Sequence, residues 1–366
     1  MRAPLLLLFL MLISLCSSAI VYSSEEGVLK INKKRFYLKG ASWFGFETGV
    51  STVHGLWAVD YKFIVNFLAN NKFNAVRLPF SLDMVLKDPT PTSINFGGCS
   101  GDNQCNLDLK GLRSLEVLDK IINYMGTKGI VVLLDLHSFE PDAFGSNGLW
   151  YDSSHSEALV IQGWRKLADR YRNTWNVFAI DVKNEPFQGT WNTGNLNTDF
   201  NKASERIGEA IINDTNWLVF VEGTAVRLSK PGRVVYSPHT YGPNVYNQPY
   251  FSDASFPSNM PRIWDKHFGF IRIFRDSAIV TGEWGGSTQG KNGIWLNAYA
   301  NYLKTNDITD NFVWCVNPNS GDTGGLLLDD WRTPDSNKLA ILAKLVENPT
   351  NVLDAIKESH LETNDQ

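Results

Sequence analysis

Cysteine is scarce here, with four in 366 residues. None is joined by further ligands at metal-finger spacing, so a zinc-organised fold is excluded and no metal or other cofactor is expected. Charge of one sign is also missing in bulk: 34 Lys and Arg against 38 Asp and Glu give a formal net charge of −4. That balance removes the basic footprint of a nucleic-acid binder. No G-x-G-x-x-G opens a helix, and the first strand-to-helix junction reads "WFGFETG", which argues against a dinucleotide site. No Pro-, Ser- or Thr-rich linker divides the chain. Beyond residue 19 no apolar run is long enough to cross a bilayer.

One apolar run does stand out. Arg2 precedes "LLLLFLMLISL", and "CSSA" then supplies small residues suited to cleavage after Ala19. Residues 1–19 therefore read as a secretory signal peptide, and residues 20–366 as a soluble, extracellular catalytic domain with a short C-terminal tail. A buried N-terminal helix is the alternative. Cys16 leaves with the signal, and Cys99, Cys105 and Cys315 remain. In an oxidising compartment "GGCSGDNQC" reads as a loop closed by a Cys99–Cys105 disulfide, against two free thiols. Cys315 reads as a buried thiol. "NDT" at Asn213 is a glycosylation sequon.

Aromatics are abundant: 12 Trp, 12 Tyr and 21 Phe. Most belong in a core, but planar sugar rings are a second use for so many flat faces. From residue 37 onward, short apolar runs alternate with helical periodicity. Eight runs read as strands: 36–46, 74–80, 130–137, 177–186, 217–223, 234–242, 278–286 and 311–319. Amphipathic segments lie between them, with only a vestigial helix expected between the fifth and sixth. Near-continuous apolar strands, each followed by a helix, indicate a parallel sheet covered on its outer face. Eight such units in one α/β domain predict a (β/α)8 TIM barrel. An open doubly wound sheet is the runner-up.

Polar residues close these apolar strands. The second ends in Arg77, the third in His137 and the fourth in Asn184 and Glu185; His239 and Tyr241 follow the sixth, Glu283 ends the seventh and Trp314 lies on the eighth. In a barrel those ends line one mouth, which is where active sites sit. Two carboxylates facing each other across it, Glu185 and Glu283, are what glycoside hydrolysis needs. One must donate a proton and the other must stay ionised, so their environments should differ. Arg77 and Tyr241 are placed to keep a neighbouring carboxylate anionic.

"FNAVRLPF", "LLDLH", "DVKNEP", "SPHTYGP", "VTGEWGG" and "FVWCVNP" resemble the strand-end motifs of glycoside hydrolase family 5, the old cellulase family A. "WFGFETGVSTVHGLW" resembles the secreted endo-β-1,4-glucanases of that family. The resemblance implies Glu185 as acid/base and Glu283 as nucleophile. It also implies that Arg77, His137, Asn184, His239, Tyr241 and Trp314 complete the site, with Asn184 on the sugar 2-hydroxyl and Trp314 stacked under the ring. Trp43, His54 and Trp57 of the first loop are either glucose contacts or loop packing, and Trp150, Trp191 and Trp284 are equally open. His155 reads as a solvated residue near a helix start.

The resulting expectation is a secreted retaining endo-β-1,4-glucanase, a monomeric enzyme that binds a β-glucan and neither nucleic acid nor membrane. A mannanase, xylanase or mixed-linkage glucanase would use the same catalytic set. From another class, a non-catalytic carbohydrate-binding protein would also fit the barrel, but it would have no use for both Glu185 and Glu283.

Overall fold

A computed structural model describes residues 20–99, 105–143 and 148–364; the expected signal segment lies outside them. The barrel strands are β4 (Lys39–Ser42), β5 (Ala75–Ser81), β6 (Val131–Ser138), β7 (Val177–Asp181), β8 (Leu218–Val221), β9 (Val234–Tyr236), β10 (Ala278–Ile279), β11 (Thr281–Trp284) and β12 (Asn311–Val313). All pair in parallel, in chain order from β4 to β10. β10 and β11 are two halves of one strand, interrupted at Val280. The Val280 N–H donates to Tyr236 O on one side, and the Thr281 N–H to Asp310 O on the other. β11 pairs with β12 and β12 with β4, so the sheet closes as a TIM barrel.

Helices cover the outside. α1 (Tyr61–Asn70) follows β4, α2 (Leu82–Lys87) and α3 (Ser114–Thr127) follow β5, α4 (Glu157–Tyr171) follows β6 and α5 (Phe200–Ile212) follows β7. α6 (Met260–His267), α7 (Gly290–Thr305) and α8 (Ser336–Leu345) follow β9, β11 and β12. α1 shows how the local sequence sets this up. The Asp60 carboxylate accepts the Lys62 N–H as an N-cap, and Ile64, Val65, Phe67 and Leu68 bury one face against the sheet.

Covered outside and filled inside, the strands have no wet face, and every residue of β5 is buried. Inside the barrel, Phe178 packs edge-on to Phe220 at 5.9 Å between ring centroids, and Phe220 packs on Phe312 at 6.3 Å. Each buried Phe is worth roughly 2–3 kcal/mol. The neighbouring strand makes room for Phe312 with Gly40, where a Cβ would lie 2.3 Å from the Phe312 ring.

The structure adds elements that the sequence reading lacked. β1 (Tyr22–Glu25), β2 (Val28–Ile31) and β3 (Lys34–Arg35) form a small antiparallel sheet. Its Tyr22, Leu29 and Ile31 join the barrel's inner core and stop its lower end. The expected C-terminal tail is largely a helix, α9 (Val352–Asn364), and Val352 is buried in that same inner core. Between β8 and β9 there is no helix at all, not even a vestigial one.

Candidate active site

β5 threads Arg77 into the upper end of the barrel, where its guanidinium is fully buried. Strand register brings Asp135 of β6 beside Asp181 of β7, which would place two buried carboxylates together unopposed. Arg77 opposes them. Its Nη2 lies 3.1 Å from Asp135 Oδ2 and 3.1 Å from Asp181 Oδ2. Nη1 donates to Glu283 Oε1 at 2.5 Å, and Nη2 also donates to Asn184 Oδ1 at 2.9 Å. One cation thus orients a carboxylate, an amide and two supporting acids. Losing one member of such a buried cluster strands the others, at a typical cost of about 3–5 kcal/mol.

Glu283 is 4% exposed at the end of β11. Its second oxygen accepts the Tyr241 hydroxyl at 2.5 Å. Burial, reinforced by the Glu283 charge, pushes the Tyr241 phenol well above its ordinary range, so it remains a donor. Gly282 keeps this packing open, because a Cβ there would sit 2.2 Å from Ser237 Oγ and 2.8 Å from His239 Nε2.

Glu185 follows β7 with φ +46°, and its side chain is 49% exposed. His239 Nδ1 lies 3.1 Å from Glu185 Oε1 and 3.6 Å from Glu283 Oε2. One oxygen of Glu185, one of Glu283 and a nitrogen of His239 all fall within 4.8 Å of one another. Burial works against the Glu185 charge, but the His239 hydrogen bond and charge outweigh it and hold Glu185 down to about 2. His239 loses stability as a cation through burial, yet Glu222 and Glu283 push it up to about 10. In the free protein these fields favour an ionised Glu185.

His137 Nδ1 pairs with Asp135 Oδ2 at 2.7 Å, and that carboxylate overrides burial to raise the imidazole. The His137 ring lies parallel to Trp314, 5.5 Å between centroids, and Phe44 stacks on Trp314 at 5.5 Å. The first loop adds His54, whose Nε2 lies 3.0 Å from Thr48 Oγ1 and whose Nδ1 lies 3.0 Å from Asn319 Nδ2. The Asn319 amide nitrogen can only donate, so His54 Nδ1 accepts and the His54 proton belongs on Nε2. Trp57, 39% exposed, packs edge-on to His54.

Arg77, His137, Asn184, Glu185, His239, Tyr241, Glu283 and Trp314 therefore converge on one mouth. Trp43 does not reach it. Trp43 has no exposed surface and its indole N–H donates to His54 O, so it braces the first loop. Trp150 and Trp284 are likewise core, while Trp191 is half-buried against Phe200. His155 corrects the expectation of a solvated side chain: it is 5% exposed, stacked on Phe139 and bonded to Asp152. The Cys99–Cys105 disulfide is present and Cys315 is a buried free thiol. Asp181 was read with Asn184 and Glu185 as one polar cluster at the mouth, whereas Asp135 and Glu222 went unread in the sequence, although each is an acid closing or interrupting an apolar strand like those that were singled out.

Residues 30–320 match the family model described as Cellulase (glycosyl hydrolase family 5). The chain belongs to glycoside hydrolase family 5. This family 5 hydrolase is 38% identical to an endoglucanase of Paenibacillus polymyxa over 347 residues, 87% of this chain and 85% of that protein. It is 38% identical to the major extracellular endoglucanase of Xanthomonas campestris, over 88% of this chain and 70% of that one. Among solved structures it is similar to an endocellulase of Pyrococcus horikoshii in complex with cellotetraose. The TM-score there is 0.82 at 35% identity, covering 90% of this chain and 99% of that one.

Proposed function

We propose that Glu185 and Glu283 carry a double displacement with retention, in a chain that is an endo-β-1,4-glucanase by its family and relatives. The single supporting observation is the spacing of the two carboxylates, with oxygens within 4.8 Å. Retaining pairs stand about 5–5.5 Å apart, whereas inverting pairs leave about 6.5–9.5 Å for a water between them.

Glu283, oriented by Arg77 and Tyr241, attacks the anomeric carbon as Glu185 gives its proton to the departing glycosidic oxygen. Water then cleaves the glycosyl-enzyme, losing its proton to Glu185. The second step suits the ionised Glu185 of the free protein. For the first, bound substrate covers the half-exposed carboxyl, excludes water and moves its protonation upward. Asn184, with its oxygen held by Arg77, turns its amide N–H toward the sugar 2-hydroxyl, and Trp314 lies beside the ring. Residues 1–19 act as a cleaved signal, giving an extracellular enzyme. No helix among the described residues is long and apolar enough to cross a membrane.

Glu185→Ala tests the assignment. A dinitrophenyl cellobioside needs no acid to leave, so its glycosyl-enzyme should still form, giving a burst and then slow turnover. Azide, which needs no base, should rescue the slow step as the β-glycosyl azide. Equal loss on activated and natural substrates without azide rescue would remove Glu185 from the role. Reducing-sugar release from carboxymethylcellulose, mixed-linkage glucan, mannan and xylan, run side by side, decides the polymer. Faster release from mannan or xylan would displace the glucanase reading.

A further inference from the structure

A third carboxylate stands behind the two that flank the scissile bond, and the double displacement leaves it unused. Glu222 follows β8 with its side chain 10% exposed. Its Oε1 accepts the Glu185 backbone N–H at 3.0 Å and lies 3.3 Å from His239 Nε2. The other imidazole nitrogen faces Glu185 and Glu283. Glu222 therefore touches Glu185 twice, once directly at its backbone and once through a ring that contacts its carboxyl.

Both contacts matter physically. A non-glycine residue at φ +46° persists only where its surroundings hold it, and the bond to Glu222 is one such restraint. The imidazole is a relay of charge: cationic, it favours the Glu185 carboxylate; neutral, it lets Glu185 keep its own proton. Burial pushes Glu222 well above its ordinary range, against the opposing His239 charge, with Asp181 and Glu185 adding to the rise and Arg77 opposing it. His239 faces Glu222, Glu283, Glu185, Asp181 and Arg77, and Lys183 faces Glu222, Glu185 and Asp181. Asp181, Glu222 and His239 lie close enough together to hold a cation, but Arg77 is already bonded to Asp181.

We propose that Glu222 is a positioning residue that fixes the backbone of Glu185 and, as the ion-pair partner of His239, sustains the imidazole charge that sets Glu185 as acid or base. The inference rests on the acid/base reading of Glu185 above. The balance is simple. Glu185 gives its proton to the leaving oxygen and regains one from the attacking water, while His239 keeps its own proton beside Glu222, 3.3 Å away.

Glu222→Gln tests it, since the amide oxygen can still accept the Glu185 N–H. Removing the negative charge weakens proton binding by the Glu185–His239 pair. The basic limb of the kcat/KM profile on cellopentaose should therefore move toward acid by at least about one pH unit. Cellopentaose hydrolysis should fall about ten-fold or more, whereas the dinitrophenol burst from the activated cellobioside should stay within about two-fold. An unmoved profile with equal loss on both substrates would make Glu222 a packing residue and overturn the proposal. Failure of the underlying functional reading is separate, because the unmodified enzyme would then release no reducing sugar from β-glucan. A readout in the unmodified protein covers the case of a variant that does not fold. Histidine-selective NMR should find the His239 ring still protonated at pH 8, and ordinary titration near 6.5 would contradict the proposal.

Discussion

Glu47 shows at a single residue how the mouth of this barrel trades stability for chemistry. It lies in the first loop with no exposed surface; Oε2 accepts the Gly45 N–H at 2.8 Å, and Oε1 has no hydrogen-bond partner among the described residues. Burial pushes its carboxyl up to about 7 from 4.5, with His137 and the Gly45 N–H opposing. A carboxyl raised in the folded state keeps its full contribution below the unfolded value. It loses that contribution as pH climbs through the folded one, on the order of 3 kcal/mol across this window. Glu47→Gln should therefore melt higher than the parent at pH 8 and close to it at pH 4. Parallel melting curves across that range would show that Glu47 does not titrate as its burial dictates. Glu47 was unreadable in the sequence, because "FETG" carries no sign that the acid turns inward. Arg77, Glu185 and Glu283 were readable for the opposite reason: a charge ending a run such as "NAVRL" or "AIVTG" has to be met by something in the fold. The same rule would have found Asp135 and Glu222.

Among the elements, the strands were legible because burial on both faces leaves them almost purely apolar, and the helices because one stripe is. The missed pieces are those where neither pattern has room to show. β1 to β3 span four, four and two residues, too short for alternation to be seen against loop sequence. α2 has six residues. The link from β8 to β9 replaces a helix with a turn, and only the spacing of its flanking strands hinted at that. The Cys99–Cys105 loop was legible from its Gly-rich sequence and from the oxidising compartment that the N-terminal apolar run led us to expect. Its six-residue separation closes a small ring, so the chain-entropy gain is about 2 kcal/mol. Replacing both cysteines by serine should lower the stability by about that amount and leave kcat on β-glucan unchanged, as urea unfolding and steady-state rates would show. A loss of turnover at full stability would mean that this loop takes part in binding.

At the scale of the whole molecule, the barrel does one thing for the chemistry: it brings strands remote in sequence to a common rim. Arg77 and Glu283 are 206 residues apart and hydrogen-bonded. The lower end is closed by β1, β2 and Val352, so the inner core is sealed on the side away from the site. Close charges at the upper end are then compensated by Arg77 and the two histidines in a rigid frame, the arrangement that preorganised electrostatic catalysis requires. Stereochemistry tests this account most directly. Cellopentaose should be followed by proton NMR from the first minutes of hydrolysis, before mutarotation mixes the anomers. Glu283 as nucleophile and Glu185 as acid/base predict internal cleavage with the new reducing ends appearing as the β-anomer. New reducing ends appearing first as the α-anomer would contradict it.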